Sequence, residues 1–215
     1  MRPYQPGDRD AVRRICYRTG YMGESPEWYW RDQESFADMW TRYYTDDEPA
    51  SALVAERDGR VEGYLLGCVD SRQAVDPTRL ALYHALRRLC LGRPGTAGVM
   101  WRTMADVVRD NRVGGMPLPV TPFDERYPSH LHIDLMSSVR GAGVGRRLVE
   151  RFLERLDSAG SAGCYLETLA ENTGAVAFFS SCGFEVHGAP VLVPGLRTRH
   201  GGRLHMLRMR RRVAA

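Results

Sequence analysis

Along the middle of the chain, hydrophobic and polar residues follow two regular patterns, one directly after the other. Residues 130–135 alternate between the two types, and a period of two predicts a β-strand with one apolar and one polar face. A glycine-rich turn follows. Over residues 144–156 the apolar positions recur every three or four residues, with arginines and glutamates between them, which predicts an amphipathic helix. The chain is therefore organised around a strand–turn–helix unit.

Similar patterns predict the remaining elements. Alternation and short apolar runs predict strands over residues 2–4, 52–56, 61–69, 164–169, 184–187 and 204–209. Helical spacing and capping residues predict helices over residues 8–18, 26–44 and 175–181. The dipeptide Asp58-Gly59 is a hairpin signal between two of the strands. A loop rich in Gly, Pro and Arg is predicted between the last two strands, and residues 210–212 are predicted to form an exposed end.

Residues 70–128 interrupt this alternation of strands and helices. Their pattern predicts two helices, over residues 77–91 and 96–109, and then a proline-rich loop that ends at Pro128. A long excursion within a compact domain often serves binding. Packing, or contact between two copies of the chain in a homodimer, is the equal alternative. We expect residues 1–215 to form a single domain that carries residues 70–128 as an insertion.

Composition narrows the class of protein. The chain contains no apolar run long enough to span a membrane and no signal peptide, so a cytoplasmic protein is expected. Its five cysteines are odd in number and lack C-x-x-C spacing, which argues against a disulfide framework or a zinc knuckle. The net charge is +4, and acidic residues are interspersed among the arginines, so nucleic-acid binding is not expected.

The glycine-rich turn carries the first candidate chemistry. Residues 140–145 read R-G-A-G-V-G, and backbone N–H groups at the start of the following helix can bind phosphate oxygens. A purely structural turn is the alternative. The spacing is not the dinucleotide-binding fingerprint, because Arg146 stands where that motif needs glycine, and it lacks the Gly-Lys-Ser/Thr of a Walker loop.

This R-x-x-G-x-G turn after a strand resembles the pyrophosphate loop of the GNAT N-acetyltransferase superfamily. A second anchor lies downstream, where Asn172 is followed by a helix of small and aromatic residues that ends in Gly183-Phe184. The resemblance implies an α/β (α+β) GNAT fold. In that fold, a mixed and mostly antiparallel central sheet splays after strand 4 and is flanked by helices. The insertion would then be helical and lie between strands 3 and 4.

Three further stretches suggest a narrower likeness. Residues 15–20 (I-C-Y-R-T-G), 63–67 (G-Y-L-L-G) and 127–135 (Y-P-S-H-L-H-I-D-L) resemble bacterial GNAT proteins. These proteins are related to the C-terminal acetyltransferase-like domain of O-GlcNAc-removing glycoside hydrolases (O-GlcNAcase). This predicts a bacterial protein and says nothing about the acceptor.

The resemblance implies acetyl-CoA as the cofactor and an amine, on a small molecule or a protein, as the acceptor. Pantetheine would pair with the strand backbone, pyrophosphate would accept from the loop, and Asn172 and Phe179 would border the cofactor. The implied cofactor-binding residues are Ile133, Asp134, Leu135, Arg140, Gly141, Ala142, Gly143, Val144, Gly145, Arg146, Asn172 and Phe179.

Acetyl transfer to an amine needs a base for the amine proton and benefits from an acid for the thiolate. The candidates for the base are Asp134 and Glu167, with His132 as a relay. Many family members have Tyr where this chain has Phe179, and Tyr165 is a substitute acid. A structural hydrogen bond or ion pair is the alternative role for each of these polar residues.

Two other classes of function stay open. His130, His132 and Asp134 match the opening of the H-x-H-x-D-H pattern of metallo-β-lactamase-type hydrolases, although Leu135 stands where that pattern has its next histidine. The interpretation as an acetyltransferase requires no metal. The second class is a pseudo-acetyltransferase that keeps the fold as an interaction module, which Phe179 favours and the intact loop disfavours.

Overall fold

The computed structural model describes residues 1–74, 83, 95–112 and 123–213. Seven strands form one sheet in the order β1-β2-β3-β4-β5-β7-β6. The strands are β1 (Arg2–Pro3), β2 (Ala52–Arg57), β3 (Arg60–Cys68), β4 (Ser129–Leu135), β5 (Gly163–Leu169), β6 (Glu185–Arg197) and β7 (Arg203–Arg212). Both residues of the predicted β2–β3 hairpin turn, Asp58 and Gly59, have positive φ, as a tight two-residue turn requires.

The sheet is mostly antiparallel and opens in its middle. Strands β1 to β4 pair antiparallel in sequence order, and β5, β7 and β6 form a second antiparallel group. The two groups meet through β4 and β5, which run parallel. Only two residue pairs join them, Ser129 with Cys164 and His130 with Tyr165. Beyond His130 the strands diverge, so the predicted splay after the fourth strand is confirmed.

Helices cover both faces of the sheet. The helices are α1 (Arg9–Thr19), α2 (Gln33–Arg42), α3 (Ala97–Arg112), α4 (Val144–Ser158) and α5 (Thr173–Ser181). On one face, α1 packs on β3 and β4, and α1 packs on α2. On the other face, α4 packs on β2, β3 and β4. Each face of the sheet has its own buried core. On one face, Ile15 of α1 belongs to a core with Tyr64 and Leu66 of the sheet. On the other, Leu148 and Phe152 of α4 belong to a core with Met209. We call these the α1 face and the α4 face.

The helix predicted over residues 26–44 is wrong in its boundaries. The structure has a single 3-10 turn at Pro26–Trp28, an irregular stretch, then α2, and a π-helical turn at Tyr43–Asp47. Tertiary hydrogen bonds hold the break open. Trp30 Nε1 donates to Ser35 Oγ at 3.0 Å, and the Arg31 N–H donates to Thr96 Oγ1 at 3.2 Å. Helical spacing does not reveal the second of these contacts, because it depends on a residue 65 positions away.

The end of the chain also differs from the prediction. Strand β6 runs through most of the predicted loop, and β7 extends to Arg212, so residues 210–212 are part of the sheet rather than an exposed end. Helix α3 packs on β6 and stabilises this extension. Asp106 accepts from the Gly195 N–H at 2.8 Å and pairs with Arg197, and this pairing lowers the pKa of Asp106 to about 2.

The insertion is described only in part. The helix predicted over residues 96–109 is confirmed as α3, whereas the helix predicted over residues 77–91 and most of the proline-rich loop lie outside the described residues. The single-domain organisation stays a prediction. Among the described residues, none of the helices combines the length and apolar character needed to cross a bilayer. The four described cysteines are buried and free.

Candidate functional site

A cavity of about 610 Å³ lies where β4 and β5 diverge. One wall comes from the end of β4, a second from the glycine-rich loop and the start of α4, and a third from α5. The lining residues are Met22, Gly23, Ile133, Asp134, Leu135, Arg140, Gly141, Gly143, Val144, Gly145, Arg146, Asn172, Gly174, Ala175, Phe178 and Phe179. The splay of the sheet therefore creates the cavity.

The glycine-rich loop has the backbone of an anion site. Gly141 and Gly143 have φ of 76° and 71°, which residues with a Cβ rarely adopt. Gly143 is the residue before the first turn of α4, so free N–H groups and the positive end of the helix dipole face the cavity. This geometry can bind phosphate oxygens through backbone donors, without burying a charged side chain.

Two arginines of the loop also support its shape. Arg140 Nε donates to the Leu135 carbonyl at 2.9 Å, and Arg140 Nη2 donates to the Gly23 carbonyl at 3.0 Å. Arg146 donates to the Ser181 carbonyl and hydroxyl at 3.0 and 3.1 Å, and so links α4 to α5. Both side chains line the cavity and stay exposed, so their charge can reach a bound anion.

Helix α5 forms one wall of the cavity, with a capped N-terminus and two phenylalanine rings. The Asn172 side chain caps α5 by accepting from the Ala175 N–H at 3.2 Å. Phe178 packs so close to Gly145 that a Cβ there would lie 3.0 Å from its ring. Phe179 is buried and meets Phe184 edge-on, with ring centroids 5.9 Å apart. Since Phe179 carries no hydroxyl, this wall supplies no proton at that position.

A polar cluster lies behind the cavity on the α1 face. The Tyr64 hydroxyl donates to Asp134 Oδ2 at 2.5 Å, and both groups approach His132 Nε2 to 3.2 Å. Burial, together with the Asp134 charge, raises the pKa of Tyr64 well above 10, so it stays a donor. Asp134 also lines the cavity, and the His132 ring stacks on Trp40. The cluster can therefore take up a proton next to the cavity.

The histidines predicted as metal ligands do not converge. The two ring nitrogens of His130 lie 2.7 Å from the Tyr44 hydroxyl and from Ser71 Oγ. Ligand atoms within 4.8 Å of one another come instead from Cys16, His132 and Asp134. The Tyr64 hydroxyl contacts two of these three residues, Asp134 Oδ2 at 2.5 Å and His132 Nε2 at 3.2 Å.

The other two predicted catalytic residues lie on β5, on the same α1 face. Glu167 Oε1 accepts from Arg208 Nη2 at 2.5 Å. The Tyr165 ring lies 5.4 Å from the His130 ring and 5.1 Å beneath the Arg208 guanidinium. Burial raises the pKa of Tyr165. Neither residue lines the large cavity, so the structure places them beside the Tyr64–Asp134–His132 cluster and not within it.

The structure brings together the cofactor residues named from the sequence, because all except Ala142 line the cavity. Sequence reasoning missed the role of Tyr64. Tyr64 lies in the 63–67 stretch used for the narrower resemblance, and its pairing with Asp134 requires the register of β3 against β4.

Comparison with known proteins agrees with this fold. The acetyltransferase (GNAT) family model matches residues 102–184. The crystal structure of SsHAT is 29% identical, covers 100% of this chain and 98% of its own, and has a TM-score of 0.67. The ribosomal-protein-alanine N-acetyltransferase from Brucella melitensis is 18% identical, with 98% of each chain covered and a TM-score of 0.55.

A third similar structure is the complex of a GNAT superfamily phosphinothricin acetyltransferase from Sinorhizobium meliloti with AcCoA. It is 19% identical to this chain and has a TM-score of 0.57. The match covers 99% of this chain and 87% of that chain. The fold of this chain is therefore the GNAT fold, and residues 102–184 match the model of the acetyltransferase (GNAT) family. The narrower likeness to O-GlcNAcase-related proteins stays a prediction.

Proposed function

We propose that the protein is an acetyl-CoA-dependent N-acetyltransferase that acetylates a primary amine. The observation that carries this proposal is the position of Asp134. It lines the cavity at the sheet opening and belongs to the polar cluster on the α1 face. A donor and an acceptor that enter from opposite faces of the sheet would therefore meet beside one carboxylate.

The residues of the cavity fit acetyl-CoA. The free N–H groups of residues 141–146 would bind its pyrophosphate, and the β4 backbone at Ile133 to Leu135 lies exposed to the cavity for pantetheine. A cavity of about 610 Å³ that is open to solvent accommodates such an extended molecule. When bound, acetyl-CoA supplies an activated thioester.

The chain's own residues would then manage the proton of the acceptor amine. Asp134, held by Tyr64, would accept it directly or through His132. The amine nitrogen forms the new bond to the acetyl carbon as the carbon–sulfur bond breaks. Phe179 donates no proton to the sulfur, so the thiolate would depart unassisted or with a proton from solvent. Tyr165, the other acid named from the sequence, lies outside the cavity.

Titration calorimetry with acetyl-CoA and CoA, followed by an acceptor screen read through free-thiol release, tests the proposal. We expect binding with a dissociation constant on the order of micromolar. We also expect thiol release that depends on an added amine. Stoichiometric binding without release for any amine would instead favour a pseudo-acetyltransferase, which Phe179 favours. Absence of binding would overturn both.

The metal-hydrolase alternative has a separate readout. It requires a metal in the purified protein and an activity that chelation removes. We expect acetyl-CoA affinity and turnover to be unchanged by EDTA, because the Tyr64 hydroxyl already donates to Asp134 and the proposed transfer uses no metal. A cytoplasmic location and a bacterial source are parts of the same proposal. Packing and contact between two copies of the chain stay equal alternatives for the insertion, and sedimentation tests for the homodimer.

A further inference from the structure

A second, smaller cavity lies on the α1 face, next to the point where β4 and β5 separate. Its volume is about 100 Å³. Tyr165 forms part of its wall, and Tyr165 pairs in register with His130, the last residue of β4 that still pairs with β5. The small cavity therefore begins where the sheet splits, on the face from which we propose the acceptor to enter.

Three arginines line this cavity, and each is stacked on an aromatic ring. Arg72 lies 5.0 Å from the Phe123 centroid, Arg210 lies 5.0 Å from Tyr127, and Arg208 lies 5.1 Å from Tyr165. Stacking fixes the plane of a guanidinium and leaves the N–H groups at its edge free to donate. The cavity therefore presents three oriented cations.

Two of these arginines have N–H donors without an acceptor among the described residues. A guanidinium has five N–H donors. Within the described part of the chain, Arg208 Nε and Arg210 Nε are buried without an acceptor. Each of the two has one carboxylate partner bound elsewhere on the group, Glu167 for Arg208 and Asp124 for Arg210. Each carboxylate uses one terminal nitrogen of its arginine, so a charge-assisted hydrogen bond from the remaining N–H groups to an added oxyanion would be stabilising.

The charge balance favours an anion over a cation. Among the described residues, the lining holds three arginines and a single carboxylate, Asp124. That carboxylate is already shared by Arg126 and Arg210, and the arginines lower its pKa to about 2, so it stays ionised and paired. A protonated amine would have to displace these arginines from Asp124, whereas an oxyanion would not.

Size and distance define the ligand. A volume of about 100 Å³ corresponds to roughly three water molecules at about 30 Å³ each, which suits a carboxylate and excludes a nucleotide or a protein domain. Asp134 lies four residues beyond His130 on β4, or about 13 Å at about 3.3 Å per residue. An acceptor that reaches both places carries its amine and its anion on the order of 10 Å apart.

We propose that the acceptor is an amine that also carries a carboxylate or a comparable oxyanion, and that Arg208 and Arg210 bind this group. The inference rests on the proposed acetyltransferase function and specifies its substrate class. Acceptors that lack the anion, including simple alkylamines and diamines, are then poor substrates.

Binding of 8-aminooctanoate and octylamine to the CoA-loaded protein tests the inference without requiring turnover. The two probes share the chain length and the amine and differ in the carboxylate. We expect 8-aminooctanoate to bind roughly 10- to 100-fold more tightly, the usual worth of a charge-assisted hydrogen-bond pair. Arg210→Gln and Arg208→Gln should remove this difference while leaving the affinity for CoA unchanged. Equal affinity of the two probes for the wild type would overturn the inference.

Arg126→Gln is the matched control. This substitution also removes one positive charge from a partner of Asp124. The Arg126 side chain is 68% exposed and is not part of the lining of the small cavity. We expect Arg126→Gln to keep the preference for 8-aminooctanoate. If it abolishes the preference as fully as Arg210→Gln, the effect comes from general charge and the proposed contact is wrong. Selective binding without acetylation would overturn the proposed function and leave the anion site standing.

Discussion

Tyr64 and Asp134 face each other across β3 and β4, and the Tyr64 hydroxyl donates to Asp134 Oδ2 at 2.5 Å. Tyr64 is fully buried, whereas the Asp134 side chain reaches the large cavity. Because the pKa of Tyr64 is raised well above 10, its phenol stays protonated and holds one carboxylate oxygen of Asp134 in place. Tyr64 is therefore a positioning residue for Asp134.

We predict that Tyr64→Phe leaves acetyl-CoA affinity intact, lowers turnover roughly 10-fold, and shifts the acidic limb of the pH–rate profile, because Asp134 loses one charge-assisted hydrogen bond. Calorimetry and steady-state kinetics measure the two effects. Tyr17→Phe is the control, since it removes one hydroxyl bond, to the Trp30 carbonyl, away from the site. An unchanged pH–rate profile in Tyr64→Phe would reduce Tyr64 to a packing role.

Substitutions of the two carboxylates named from the sequence should have different effects on turnover. Asp134→Asn is expected to retain acetyl-CoA binding and to lower turnover by roughly 10²–10⁴-fold, the usual contribution of positioned proton transfer. Glu167→Gln breaks a partly exposed ion pair with Arg208, which typically contributes less than about 1 kcal/mol. It should therefore change turnover little. If both variants keep wild-type turnover, solvent is the proton acceptor.

Two substitutions of Gly143 with side chains of the same size test whether the glycine-rich loop binds an anion. Its φ of 71° is left-handed, a region that Asn and Asp tolerate better than other side chains. Gly143→Asp places a carboxylate against the phosphates and is expected to abolish acetyl-CoA binding in calorimetry. Gly143→Asn has the same size without the charge and should retain most of the affinity. Equal losses in both would point to backbone strain and not to charge.

The part of the fold that follows local pattern was predictable from the sequence. The alternation in β4, the glycines of the loop and the spacing in α4 all act within about ten residues, so each constrains its own backbone. The cofactor residues could be named because the loop and the Asn172 helix match a known spacing. The break before α2 could not be predicted, since it depends on Thr96.

The polar cluster was only half predictable. His132 and Asp134 are two positions apart on one strand, and period two places them on one face. Tyr64 is 70 positions from Asp134 and meets it only through the register of two strands. Arg208 and Arg210 were hidden for a similar reason. The arginine-rich end suggested a solvated tail, whereas β7 in fact aligns Arg210 with Tyr165.

Phe179 offers a test of the missing acid. Phe179→Tyr adds a hydroxyl to a ring that lines the large cavity and otherwise keeps its size. If the thiolate departs without an acid, this change should raise turnover, up to roughly 10²-fold at the low end of acid catalysis. The thiol-release assay measures it, with acetyl-CoA affinity as the control. A lower rate with binding retained would mean that the phenyl ring itself is needed against Phe184.

His130 should make the stability of the protein depend on pH. Burial lowers its pKa from the ordinary 6.5 to about 4. Between these values the unfolded chain binds more protons than the folded one, so the free energy of unfolding falls as the pH drops from 6.5 towards 4. The full shift corresponds to about 3 kcal/mol. The other two carboxyl groups described above with a pKa lowered to about 2, Asp106 and Asp124, titrate below pH 4 and lie outside this window.

Urea unfolding at pH 5 and pH 7.5 measures this dependence. We expect His130→Gln to flatten it, because glutamine keeps a donor and an acceptor for Tyr44 and Ser71 and does not titrate. His200→Gln, at an exposed histidine near the β6–β7 turn, should retain the wild-type slope. If His130→Gln loses as much stability between the two pH values as the wild type does, the acid sensitivity belongs to another group and His130 does not enter the folded protein in its neutral form.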